Sequence, residues 1–507
     1  MNMDIRRSVV MMENKGDYMA RHEFKRKDLE SILDNIKGKS LGEVDVNNVF
    51  SKTETFTKVT GIAGDVIEQS VLGLHADSEQ KPDIVVDGVE TELKSTGLKR
   101  AKRGEFPIDA KEPMSITAVS PDSIIYEEFG DSALWHKLAN MLIVYYLYDS
   151  DKTVLAAEYA RFPIQGYQFH AFSEEDKKVL QSDWEIVRDF IRMVNQDVAD
   201  PKSRYPEISK LREYMMFMDT APKYPNPPRF RLKRSVVGTI AQKHFGKDFE
   251  LLQGGNRFST YEGLYGILRS FTSEHRGRSV KDIAACLGLE LRRCKKGVVY
   301  KSITERVLTA AFGAKSGRLK DIDIFAKIGI LPKTIVISPS GTRTEDIKLG
   351  AIDFAEWTDM SINFEESSVY DYFANQVMLF SIFQEPYARS ALEDNIFLGF
   401  KRITFSDGFI YANVKPTWDR VRELVNNNEL MVTETISKYG RARINKSGTV
   451  MEATNFPKSK DYVVFLRGTA QDSTMKSYTL NGLSMYPQNF WIKGTILVEM
   501  LSKIEFI

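Results

Sequence analysis

Apolar residues in 27–36 fall at Leu29, Ile32, Leu33 and Ile36, a stripe at helical spacing that predicts a helix. A second, shorter helix is expected over 66–74. At 82–94 the sequence PDIVVDGVETELK sets Asp87-Gly88 between β-rich runs, which predicts a hairpin with a two-residue type I′ turn. Residues 132–148 begin polar and end in LIVYYLY, a buried strand, while 173–195 is charged and periodic, a long helix. Prolines 222, 225, 227 and 228 break structure near mid-chain. The second half repeats a similar order, with helices over 279–289 and 303–312, a strand-like 321–335 and an apolar, aromatic 370–383. That repetition predicts a divergent internal duplication.

Composition narrows the class. The 507 residues, 42% hydrophobic and 27% charged, suit a soluble protein of two domains. No apolar run is long enough to span a bilayer, and the N-terminus lacks a signal-peptide core, so no membrane association is expected. Cys286 and Cys294 alone imply a reducing, cytoplasmic setting and structural thiols. A net charge of +1 is neutral on nucleic acid, but KSTGLKRAKR, RFRLKR and LRRCKK are local basic runs. The chain has no phosphate-loop motif for ATP and no nucleophile elbow. No two histidines sit at metal-ligand spacing; His136 is either structural or a phosphate contact beside Lys137.

Counting outward from the turn, Val86 faces Val89, Val85 faces Glu90, Ile84 faces Thr91 and Asp83 faces Glu92, with Lys94 on the face of Glu92. Two carboxylates that close repel unless a cation sits between them, and oxygen ligands alone favour magnesium. Such a site can clamp a phosphate oxygen, acidify a water and stabilise a leaving oxygen, with Lys94 neutralising charge on phosphorus. The alternative is a surface hairpin held by a Glu92–Lys94 salt bridge.

Beyond this hairpin the chain resembles the MutH family of mismatch-repair nicking endonucleases and the two-lobed type II restriction enzymes that cut at GATC. GDVIEQSVLG resembles the family's helix with an active-site glutamate, which implies that role for Glu68. DIVVDGVETELKST supplies Asp83, Glu92 and Lys94, and LWHKLANMLIV is similar to the segment carrying a further lysine, here Lys137. FSEEDKKVLQSDWEIVRDFI resembles the acidic helix that follows. MMFMDTAPKY and PPRFRLKRSVVGTIAQKHF are similar to the DNA-reading tail, which implies DNA contact for Lys223, Arg231 and Lys233; Arg231 stands where the family has tyrosine.

The resemblance implies an α/β protein of two tandem restriction-endonuclease-like lobes, each a mixed β-sheet flanked by helices, at 1–248 and 249–507. In the second lobe Glu305, Asp323 and Lys333 remain, but Leu331 replaces the hairpin glutamate, and no lysine lies between Lys348 and Lys401. That lobe is expected to be catalytically dead, with Arg467, Trp491 and Lys493 as DNA contacts. The implied activity is Mg2+-dependent cleavage of double-stranded DNA at 5′-GATC, giving 5′-phosphates. The metal would be held by Asp83, Glu92 and Glu68, the dead lobe would act as effector, and pairing of two chains would be induced by DNA. A cognate methyltransferase would protect host DNA. A strand-nicking repair enzyme and a non-catalytic DNA-binding regulator are the alternatives.

Overall fold

The computed structural model describes residues 22–55, 61–75, 81–100, 107–150, 154–197, 199–222, 225–342, 345–437, 439–445, 448–470 and 474–507. The first sheet runs β1 (Glu23–Phe24), β2 (Ile84–Val86), β3 (Val89–Arg100), β6 (Met141–Leu147), β7 (Ile164–His170), and β4 (Ile108–Ala110) pairs with the far end of β3. Asp87 and Gly88 have φ of 48° and 82°, the two positive values that a type I′ turn needs. They set the register Val86–Val89, Val85–Glu90 and Ile84–Thr91. β3 runs parallel to β6 with Glu92 opposite Met141 and Lys94 opposite Ile143. Every residue of β6 is buried, as a central strand covered on both faces should be.

Helices cover both faces. α1 (Arg26–Ile36) buries Leu29, Leu33 and Ile36, as its stripe predicts. α2 (Ile62–Asp65) widens into a π-helical turn, Val66–Val71, where a plain helix was expected. α3 (Ala133–Ala139), capped by Ser132, occupies the first part of the segment expected to be strand throughout. α4 (Glu174–Asp197) is the long acidic helix. Its fully buried Asp183 accepts backbone N–H bonds from Met216, Phe217 and Met218 at 2.7, 2.7 and 2.9 Å. These bonds anchor the second sheet: β5 (Met114–Ala118), β9 (Arg229–Leu232), β8 (Met218–Ala221), followed by α5 (Arg234–His244).

The second half repeats the arrangement. α6 (Tyr261–His275), α7 (Val280–Cys286) and α8 (Ser302–Ala311) precede β10 (Leu331–Ile337), which lies parallel to β12 (Met378–Gln384); β12 pairs antiparallel with β13 (Ile396–Ile403). Between them β11 (Ile347–Ala351) joins β19 (Gln488–Ile492) and β16 (Val464–Gly468). α10 (Ser368–Asn375), α11 (Lys415–Asn426) and α12 (Gly494–Ser502) take the places of α3, α4 and α5. Short hairpins, β14–β15 (Val432–Glu434, Glu452–Thr454) and β17–β18 (Tyr478–Leu480, Leu483–Met485), are additions.

One expectation fails here. Residues 321–330 are not a strand: Asp323 opens a helix, α9 (Asp323–Ile328), stopped by Gly329 at φ 74°. Glycine in the left-handed region is an ordinary helix stop. Cys286 also differs from expectation, being exposed rather than packed.

Packing forms three cores. One belongs to the first half and includes Leu29, Ile67 and Leu142; another belongs to the second and includes Ile335, Phe373 and Phe490. The third crosses between them, with Trp184 and Ile191 of α4 in one cluster with Leu264, Leu268, Phe397 and Phe400. A buried ionic cluster crosses at the same place. Lys327 of α9 donates to both oxygens of Asp176 in α4 at 2.8 and 2.7 Å and lies 2.7 Å from Asp323, which also takes Lys243 of α5 at 2.9 Å.

Candidate active site

Glu92 is the centre of the first half's polar cluster. Its backbone N–H bonds the Asn140 carbonyl at 2.9 Å, which fixes the start of the β3–β6 pairing, and its side chain has no exposed surface. Lys137 donates to both Glu92 oxygens at 3.0 and 2.9 Å, and Lys94 bonds Glu92 Oε1. Lys137 comes from α3, whose start is held by Ser132 accepting from Trp135 N–H at 3.1 Å. Helix and strand therefore bring two ammonium groups to one buried carboxylate.

Asp83 arrives differently from the expectation. The β2–β3 ladder ends at Ile84–Thr91, so Asp83 and Glu92 are not a cross-strand pair. Asp83 instead turns its carboxylate onto the β3 backbone, where Oδ2 accepts the Leu93 N–H at 2.8 Å. The two acids still share one field: Asp83 is among the charges that push the Glu92 carboxyl up. Burial is the larger cause of that rise, and Lys94 opposes it.

Glu68 lies on the π turn, a feature frequent at functional sites. A Cβ added at Gly64 would stand 3.3 Å from Ser95 Oγ and 3.9 Å from Glu68 Oε1, so that glycine leaves room between helix and strand. The sequence reading does not single out Ser95, which follows Lys94 directly and lies beside this gap. Burial and then the Asp83 charge push the Glu68 carboxyl up to about 7, with Asp65 and Glu92 adding and Lys94 opposing. The Leu74 N–H donates to the Glu68 backbone carbonyl at 2.8 Å, but among the described residues no side chain or backbone N–H donates to its carboxylate. A carboxylate without a donor, facing two further carboxylates, fits a hard divalent cation.

A pH dependence follows from this. A cation competes with the proton on Glu68, and below about 7 the protonated form prevails. Metal affinity should therefore rise with pH through that value and level off above it. Calorimetric titration in buffers of different ionisation enthalpy should show proton release near pH 6.5 that vanishes in Glu68→Gln. Pure pH-independent binding would contradict the placement of Glu68.

The sequence-derived DNA contacts are scattered in environment. Lys223 lies outside the described residues. Arg231 is engaged by Asp219, through Nε and Nη2 at 2.7 and 2.9 Å. Lys233 is a correction: it is 4% exposed, donates to the Met215 carbonyl at 2.5 Å, and burial lowers it to about 8. It braces the turn beside Asp183 and has no surface to offer a phosphate. Arg467 bonds Asp346 at 2.6 Å and stacks over the Trp491 ring at 4.9 Å; Lys493 is half-buried at the start of α12. His136 is exposed.

In the second half the corresponding place is different. Leu331 stands opposite Met378 and Lys333 opposite Phe380, the register that Glu92 and Lys94 hold against Met141 and Ile143. Five residues after its capping Ser367, α10 carries Tyr372 where α3 carries Lys137 after Ser132. Asp323, expected in the position of Asp83, is on α9 in the ionic cluster with Lys327 and Lys243.

Residues 72–183 match the family model described as the DNA mismatch repair enzyme MutH. That span holds Asp83, Glu92, Lys94 and Lys137; Glu68 lies just before it. The chain is also 22% identical over 441 residues to the type II restriction enzyme Sau3AI of Staphylococcus aureus, covering 80% of this chain and 78% of that one.

Proposed function

We propose, from a chain whose residues 72–183 form a MutH-like domain and whose likeness to a restriction enzyme runs through both halves, that the protein is a type II restriction endonuclease. Its reading as such rests on one observation above others: three carboxylates, Glu68, Asp83 and Glu92, meet two lysines at a single place in the first half. The proposed lobes are 1–248, catalytic, and 249–507, non-catalytic. Coverage of both halves favours a double-strand cutter over a single-lobed nickase.

Magnesium, held by Asp83, Glu92 and Glu68, would supply charge for the phosphate oxygens and acidity for a water. The chain's own groups do the rest. Glu92 holds Lys94 and Lys137 in place. Lys94, partly exposed, offers its ammonium to the attacking water and to the charge gathering on phosphorus. Lys94, and after it Lys137, oppose the rise that burial imposes on the Glu92 carboxyl. The product is a 5′-phosphate and a 3′-hydroxyl.

The target proposed is double-stranded 5′-GATC, the site cut by the restriction enzymes this chain resembles. Arg231, Arg467, Trp491 and Lys493 are proposed DNA contacts, and Lys223 with them. The second lobe carries Leu331 and Tyr372 where the first has Glu92 and Lys137, which supports its reading as inactive. One site cutting two strands points to a DNA-induced pair of chains, with the second lobe holding a second GATC copy as effector. A cognate methyltransferase would protect host DNA. Among the described residues no helix is long and apolar enough to cross a membrane, and a cytoplasmic location is proposed.

The test is plasmid cleavage by the purified chain. With Mg2+, discrete fragments ending at GATC are expected, none with EDTA, and a two-site plasmid should be cut several-fold faster than a one-site plasmid. Metal-independent cutting, or fragments unrelated to GATC, would overturn the reading; equal rates at all dilutions would remove the effector lobe from it.

A further inference from the structure

The second half keeps an open cavity at the place where the first half has its acidic cluster. It measures about 240 Å³ and is lined by Lys301, Thr304 and Glu305 from the start of α8, with Lys333 and Ser381 from β10 and β12. At about 30 Å³ for each water, that is room for a phosphate group with several waters. The position is fixed by register, since Lys333 pairs with β12 as Lys94 pairs with β6.

The charges differ in a telling way. In the first half three carboxylates face two ammonium groups, leaving one net negative charge that a divalent cation turns to one net positive. In the second, Lys301 and Lys333 face Glu305 alone, which leaves one net positive charge with no metal. Glu305 is already engaged, accepting the Leu319 N–H at 3.1 Å. Lys333 gives one bond, to the Lys348 carbonyl at 3.3 Å, and keeps two donors. Among the described residues neither Lys301 nor Lys333 has a carboxylate within ion-pair distance.

We propose that this cavity seats one phosphodiester of duplex DNA without a metal ion and without cleaving it. A single net positive charge matches the single charge of a phosphodiester, and ammonium and hydroxyl groups are the donors that phosphate oxygens take. One carboxylate beside two lysines repels a divalent cation, so the seat binds and does not hydrolyse. The seat rests on reading the protein as one that binds DNA, and it makes a claim that reading does not: part of the DNA affinity survives removal of metal.

The experiment uses the full chain carrying Lys94→Ala, to prevent cutting, and a GATC duplex in fluorescence anisotropy, with Mg2+ or with EDTA. Binding should persist in EDTA. Adding Lys301→Ala and Lys333→Ala should weaken that EDTA-resistant binding about tenfold at 0.15 M salt and reduce the salt slope by about 0.9 for the lost phosphate contact. Lys333→Arg alone should retain it. An unaltered thermal midpoint confirms that the variants fold. Inorganic phosphate at millimolar concentration, as competitor, tells a free anion site from a duplex seat: weak competition is expected, and complete displacement would overturn the duplex as occupant. Binding that EDTA abolishes would overturn the seat and leave the nuclease reading standing. Absence of binding in both conditions would overturn both.

Discussion

Lys94→Ala is expected to lower DNA cleavage by about 10²–10³-fold at saturating Mg2+ and DNA, while duplex affinity changes little. The ammonium is partly exposed and leans on Glu92, so it is placed to meet a substrate rather than to fill a core. Its removal leaves Glu92 paired with Lys137 at 2.9 Å, so the buried carboxylate is not orphaned and the fold survives. A hairpin held only by a Glu92–Lys94 salt bridge would behave in the opposite way, with stability lowered and cutting unchanged. Single-turnover cleavage and a thermal melt on the same variant separate these outcomes.

Lys327→Met is expected to give the largest loss of stability, about 3–5 kcal/mol, because it strands buried charge. Lys327 is 4% exposed and serves Asp176 of the first half and Asp323 of the second. Lys243 still reaches Asp323 at 2.9 Å, so Asp176 bears most of the loss. Adding Asp176→Asn should therefore recover part of it, which urea unfolding of the single and double variants would measure. Asp323→Asn should leave cleavage within about threefold of the parent below the melting transition, since this carboxylate belongs to the contact between halves. A collapse of cleavage with stability intact would instead give Asp323 a catalytic role.

The hairpin was legible because Asp-Gly has a conformational meaning that two residues suffice to state: both must adopt positive φ, and the register follows. The place of Glu92 and Lys94 on one face follows from strand period alone. The setting of Asp83 was not legible, because counting assumes a ladder that continues, and here the strands part after Ile84. Burial of Lys233 was equally hidden: RFRLKR reads as a basic run, but Asp183, fifty residues earlier, gathers the backbone beside it. The helix at Asp323 did leave a signal. Alternation in DIDIF suggests a strand, yet AKIG ends in a glycine that terminates a helix. No local pattern could show that the two halves share a hydrophobic core, since that depends on burying residues far apart in sequence, such as Trp184 and Phe397, in one cluster.

The place where the metal binds distinguishes a first-half cation site from any other. Electron paramagnetic resonance of Mn2+ titrated into the Lys94→Ala protein with bound GATC duplex addresses this directly. Binding should be strong in that background, lost with Asp83→Asn or Glu92→Gln added, and unaffected by Asp323→Asn. Mn2+ binding that survives Asp83→Asn, or that disappears with Asp323→Asn, would contradict a cation site built from the first half alone.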